Sequence, residues 1–238
     1  MDQAEEPSPV VLKELGNNAV KESKFTEAIL HYTHAIKLDP DNYTLYSNRS
    51  YAFLKEQQYY FALEDANVAI RLNPSWPKGF FRKGEVEYAT GHYIAAYEAY
   101  RLALKLKPED ANIVEALNRS AREILREKEA DAKIPWLGAG IGIVIGVVIV
   151  IADCLFTLKP THPLLMALVT IVIALVGYGV ARSYRSYVKC QRDGLLEPPP
   201  DLTGTEKDEN EESEDKSTKK TPRYTKSQAR LRYKKGKL

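Results

Sequence analysis

The 238-residue sequence has only two cysteines, Cys154 and Cys190, and four histidines. Two thiols cannot build a disulfide framework, which fits a reducing compartment. Nor do they make a zinc site with the scattered histidines, and His31 and His34, three apart, have no third ligand nearby. No metal and no cofactor are therefore expected. The stretch MDQAEEPSPV is acidic and lacks an apolar h-region, so no cleaved secretory signal is expected. No glycine-rich phosphate loop follows a strand pattern, and no nucleophile, base and orienting group cluster; catalysis is not expected. Net charge is nearly lacking too, with Lys+Arg 34 against Asp+Glu 32, so the total identifies no partner. The charges are unevenly placed: after Gly194 an acidic block, EKDENEESED, precedes a basic block that begins at Lys216.

What the sequence does have is a period. Pro40, Pro74 and Pro108 are 34 apart; so are Ala28, Ala62 and Ala96, and Ala35, Ala69 and Ala103. Gly16, Ser50 and Gly84 keep the same interval. Each unit reads as two helices. A small residue on the first lets the second approach, and two alanines on one face of the second accept a neighbour. Proline then ends the second helix, because it has no N–H to extend the ladder. Leu12, Leu15, Phe25, Tyr32, Tyr46, Phe53, Tyr60, Phe80, Tyr93 and Tyr100 are expected to pack inward. The spacing resembles the tetratricopeptide repeat. The expected fold is all-α: disordered 1–8, three repeats over 9–110 (9–42, 43–76, 77–110) and a capping helix over 111–133. The cap is expected to bury Ile113, Val114, Leu117, Ala121 and Leu125.

PKGFFRKGE, residues 77–85, carries Lys78 and Arg82 four apart and no acid before Glu85. Like charges stacked at that spacing repel slightly. In LKELGNNAV, Lys13 and Asn17 share a face in the same way, and Asn48 holds the position in its repeat that Arg82 holds in the next. First helices of stacked repeats line one concave groove. Three cations and two amides should therefore meet in a trough that holds no acid of the chain itself, a receptor for closely spaced carboxylates. These residues resemble the dicarboxylate clamp of tetratricopeptide co-chaperones of the Hsp-organising type, over about residues 9–130. The resemblance implies that Lys13, Asn17, Asn48, Lys78 and Arg82 grip the C-terminal Glu-Glu-Val-Asp tail of the seventy- and ninety-kilodalton heat-shock chaperones. It adds Lys55 as a weaker basic contact. Tyr51 and Leu54 stand where that family tends to have small residues, so the resemblance does not choose between the two chaperones.

Two apolar runs follow, at 136–156 and 164–181, each long enough to cross a bilayer. Arg122, Arg126, Lys128 and Lys133 precede the first, and Arg182, Arg185, Lys189 and Arg192 follow the second; the link holds only Lys159. By the positive-inside rule both termini face the cytosol and the spans form a hairpin. The endoplasmic reticulum is the favoured membrane and the mitochondrial outer membrane the second. Gly138, Gly142 and Gly146 make a small-residue stripe for close helix approach, within the hairpin or between two chains in a homo-oligomer. Asp153, near the far interface, is expected to reach water rather than relay protons.

The tail over 194–238 is too polar to fold and is expected to be disordered. Its basic end, TPRYTKSQARLRYKKGKL, suits anionic lipid or RNA. Sequons at Asn42, Asn48 and Asn118 matter only in a lumen. The combined expectation is a membrane-anchored co-chaperone or adaptor. Its rivals are an organelle targeting receptor that uses chaperone docking, and a scaffold for another acidic peptide.

Overall fold

A computed structural model describes residues 7–156 and 162–199, within the first of two units (1–199 and 200–238). The acidic and basic tail expectations lie outside the described residues. Among those residues the secondary structure is entirely helical. Six helices alternate with tight turns: α1 (Pro9–Lys21), α2 (Phe25–Leu38), α3 (Tyr43–Lys55), α4 (Tyr59–Leu72), α5 (Pro77–Ala89) and α6 (Tyr93–Leu106). First helices begin at 9, 43 and 77, and second helices at 25, 59 and 93, so the sequence period is the structural one. α2, α4 and α6 each stop two residues before Pro40, Pro74 and Pro108. Ser8 and Asn42 cap α1 and α3 by accepting from backbone N–H groups of the first turn.

The small-residue register has a steric cause. A Cβ at Gly16 would lie 2.5 Å from the Tyr32 ring, and one at Gly84 would lie 2.6 Å from the Tyr100 ring. In the middle repeat the residue equivalent to those tyrosines is Ala66. There Ser50 is tolerated, and its hydroxyl donates to the Ala62 carbonyl at 2.7 Å. The turn between paired helices places Ser23, Gln57 and Gly91, again 34 apart, in the left-handed region at φ 61°, 59° and 79°. Only the third repeat uses glycine there.

The core is built from the alanines of α2, α4 and α6 with Leu12, Tyr32, Leu45, Val86, Tyr100 and Ile113. Leu15, expected inward, is 42% exposed, because Leu12, Gly16 and Ala19 define the buried stripe of α1. On the cap the expected stripe is also corrected: Leu125 is 61% exposed, and Val114 faces outward. Ile113 is buried as expected and Leu117 half-buried, and Ser120, buried, joins them with Ile124 and Glu127 half-buried along the same face.

The cap and the first apolar run are one helix. α7 (Ala111–Phe156) runs unbroken for 46 residues, roughly 70 Å. It contains Pro135, which denies the Asp131 carbonyl its usual i+4 donor. α8 (Pro163–Gly194) packs antiparallel along it and extends more than three turns beyond the apolar run that ends at 181. Both helices carry an apolar stretch long and exposed enough to span a membrane. The extension of α8 returns to the repeats. Arg192 pairs with Glu127, donates to the Gly91 carbonyl at 3.4 Å and lies 5.8 Å from the Tyr93 ring centroid. Beside it, His92 Nε2 lies 3.2 Å from Asp193 Oδ1.

Candidate functional site

The first helices bury one stripe each, and the residues that flank this stripe face a common groove. On α1 the stripe is Leu12, Gly16 and Ala19, which sets Lys13 and Asn17 at its edge, half-buried. On α3 it is Leu45, Ser47, Ser50 and Ala52, with Asn48 alongside. On α5 it is Gly79, Gly84 and Val86, with Arg82 alongside, 14% exposed, and Lys78 one turn earlier.

Hydrogen bonds tie these side chains together across helices. Lys13 Nζ donates to Thr44 Oγ1 at 3.0 Å. Asn17 Oδ1 accepts from the Tyr32 hydroxyl at 2.8 Å and from Asn48 Nδ2 at 3.2 Å. Burial pushes Tyr32 up to about 12, so its hydroxyl stays a donor at any physiological pH. With both acceptor positions of Asn17 used, its amide N–H groups remain for a ligand.

The cations are held but not neutralised. Lys78 sits below its ordinary value, first because its surroundings desolvate it, then because the charges of Arg82 and Lys13 act on it. The Arg82 guanidinium lies 4.4 Å from the Tyr51 ring centroid, and Lys55 Nζ lies 5.2 Å from the same ring. Arg82 Nε is buried with no hydrogen-bond partner among the described residues. Tyr51, bulky where the clamp family tends to be small, is thus the wall against which two cations rest, and it packs edge-on to Phe25.

One expectation is corrected here. The trough does hold an acid of the chain: Glu85, one turn beyond Arg82, is ion-paired with it. Glu85 offsets one of four cations (Lys13, Lys55, Lys78 and Arg82) and leaves the groove positive. Its i+3 spacing was visible in the sequence, but whether it turned toward Arg82 or toward solvent was not. Thr44 and Tyr32, which orient Lys13 and Asn17, were also missed as site residues, because they belong to other helices.

Lys78, Arg82 and Glu85 also line a cleft of about 810 Å³ that continues toward the cap, where Tyr88 and Arg119 meet it. Arg119 Nε donates to the Tyr88 hydroxyl at 2.7 Å, with its guanidinium 4.3 Å from that ring centroid. The glycine stripe lies elsewhere, inside the hairpin. A Cβ at Gly138 would meet the Gly177 carbonyl at 2.5 Å, one at Gly142 the Ile173 carbonyl at 2.7 Å, and one at Gly146 would touch Thr170 at 3.0 Å. Within this chain α8 occupies the stripe. Among the described residues no group of three or more potential ligands could hold a metal ion.

Comparison with known proteins places these helices. A model described as TPR repeat matches residues 16–57, and one described as tetratricopeptide repeat matches 77–110. The Hsp70-Hsp90 organising protein of Plasmodium falciparum is 39% identical over 116 residues, 49% of this chain and 46% of that protein. Tetratricopeptide repeat protein 28 of Mus musculus is 39% identical over 105 residues, 44% of this chain and 4% of that one. The solved Sgt2 TPR domain from Aspergillus fumigatus superposes with a TM-score of 0.50 at 28% identity, over 52% of this chain and 83% of that domain. The chain thus spans less than half the length of these curated relatives. Through its matched segments and the 34-residue period that joins them, the chain belongs to the tetratricopeptide-repeat family.

Proposed function

We propose that the groove clamps the terminal carboxylates of another protein's chain, and that this chain is a membrane-anchored adaptor for heat-shock chaperones. Lys13, Asn17, Asn48, Lys78 and Arg82 hold the terminal α-carboxylate and the last acidic side chain, with Lys55 a further contact. The observation that carries this reading is the state of the cations. Lys78 is destabilised first by desolvation and then by the charges of Arg82 and Lys13, and Arg82 keeps a buried N–H without an acceptor. Bringing carboxylates into such a site relieves repulsion and supplies the missing acceptor.

The likeness to an Hsp70-Hsp90 organising protein supports a chaperone tail of the Glu-Glu-Val-Asp kind as the ligand. The two exposed apolar stretches, flanked by cations at their common end, support a hairpin with both termini in the cytosol. Such an anchor raises the local concentration of chaperone and client at one membrane. The endoplasmic reticulum is our first assignment and the mitochondrial outer membrane the second. A targeting receptor would use the same groove. A scaffold for a different acidic peptide draws on the equal likeness to a repeat protein not named for chaperones, and it would not need a free chain terminus in its ligand.

The test is a pull-down of the full chain from solubilised membranes, wild type against the double variant Lys78→Ala/Arg82→Ala. Wild type should bring down the two chaperone classes, and the double variant should lose them at least about tenfold, the loss of one or two charged hydrogen bonds. Equal recovery of chaperones by both proteins would remove the groove from their recognition.

A further inference from the structure

Where α7 and α8 leave their apolar stretches, a second cavity of about 540 Å³ opens between them, well away from the groove. Trp136 and Tyr178 form its lower wall, with ring centroids 5.9 Å apart in an edge-on arrangement. Aromatic residues of this kind belong at the boundary between hydrocarbon and head groups. Above them α8 presents Arg182, Arg185 and Lys189 at helical spacing on one face. Arg185 donates to Asp131 Oδ1 at 2.6 and 2.9 Å, and Lys189 donates to Asp131 Oδ2 at 2.5 Å. Asp131 is the one carboxylate in the lining against three cations, which leaves the lining positive, and Glu127 approaches Arg185 from outside it at 4.0 Å. Arg182, the cation nearest the aromatic wall, has no acidic partner among the described residues.

We propose that this cavity binds the phosphate head group of an anionic phospholipid of the cytosolic leaflet. The inference rests on the membrane-hairpin reading. The cations supply a bidentate arginine and a lysine point charge suited to phosphate oxygens. Asp131 holds Arg185 and Lys189 in place and leaves Arg182 to the ligand. Immediately below the cavity, Leu137 and Val180 turn outward, 66% and 65% exposed, and begin an uninterrupted apolar surface along both helices. That surface is a path for acyl chains, which a lipid needs and a soluble phosphate does not. Basic pockets between membrane helices on the cytosolic side recognise charged head groups by the same physics.

The test reconstitutes the full chain in phosphatidylcholine vesicles with a minor share of phosphatidylinositol. The protein is then re-extracted in mild detergent and its retained lipid weighed by native mass spectrometry. Wild type should be enriched in phosphatidylinositol at least about fivefold over the vesicle composition, the effect of one cation near an anionic surface. Arg182→Gln should bring the retained lipid back to bulk composition, and Arg182→Lys should keep most of the enrichment. Millimolar inorganic phosphate should not displace the lipid. Equal enrichment in wild type and Arg182→Gln, or displacement by free phosphate, would overturn the proposal. Alkaline carbonate separates this from failure of the span: a chain washed off the vesicles sinks hairpin and pocket together. One that stays embedded without enrichment sinks the pocket alone.

Discussion

Arg82 is held by groups that an incoming carboxylate must rearrange or share. Glu85 pairs with it from the next turn and Tyr51 lies against its guanidinium, while Nε stays unpaired. Because Glu85 competes for the charge that the ligand needs, Glu85→Gln should tighten binding of an acidic tail peptide by about fivefold, the value of one partly exposed ion pair. Titration calorimetry of wild type and variant measures it, and unchanged or weaker binding would mean that Glu85 is not a competitor. A second carboxylate belongs to stability rather than binding. Burial pushes Glu87 up to about 7 from its ordinary 4.5, against a smaller opposing pull from Lys83, and one of its oxygens has no partner. Its folded form holds a proton that its unfolded form releases, so its contribution is full below pH 4.5 and lost as pH rises through about 7. Glu87→Gln should therefore leave stability at pH 5 nearly unchanged and add on the order of 2 kcal/mol at pH 8 by denaturant unfolding. A variant that gains nothing between those two pH values would show that Glu87 is solvated in the native state. The spacing of Lys13, Asn17, Asn48, Lys78 and Arg82 was legible because helical geometry and a fixed period determine which face each residue joins. Glu85 and Glu87 were not, since burial and rotamer decide their partners and neither is written in a spacing.

The paired helices of each repeat are held by a knob that needs a hole. Tyr32 and Tyr100 fill the space that Gly16 and Gly84 leave, and the middle repeat exchanges both members, with Ser50 and Ala66 at the equivalent positions. Gly16→Ala should thus cost about 1–3 kcal/mol, since the added carbon meets a buried ring that also orients Asn17. Thermal unfolding reads the cost, and an unchanged midpoint would mean that α1 and α2 separate freely. This pairing was half legible. The small-residue register stands out in the sequence, but the compensating tyrosines appear only when positions 32, 66 and 100 are aligned on the same period. The cap was misread for a related reason. Apolar spacing selected Ile113 rightly but Val114 and Leu125 wrongly, whereas the helix also presents Ser120 and Glu127 inward, because its second half packs on the polar extension of α8 rather than on a repeat.

Across the whole first unit, α7 carries the groove's wall at one end and an apolar stretch at the other, with no linker between them. Arg192, Glu127 and Asp193 add a clasp from the end of α8 to the third repeat, at the turn where that repeat alone has glycine. The sequence divided α7 into a cap and a span at the change from charged to apolar residues. The helix continues through that change and through Pro135, where only the Asp131 carbonyl loses its donor. If the hairpin is embedded, the groove is held at a set distance from the membrane, and the ligand proposed for it is a flexible chain end. The free terminal carboxylate is the feature that distinguishes such an end from any internal acidic segment. The most direct measurement is calorimetric binding of one acidic chaperone-tail peptide in two forms, with its C-terminus free and with it amidated. The account predicts at least about tenfold weaker binding of the amide, the loss of one or two charged hydrogen bonds. Equal affinity for the two forms would contradict it.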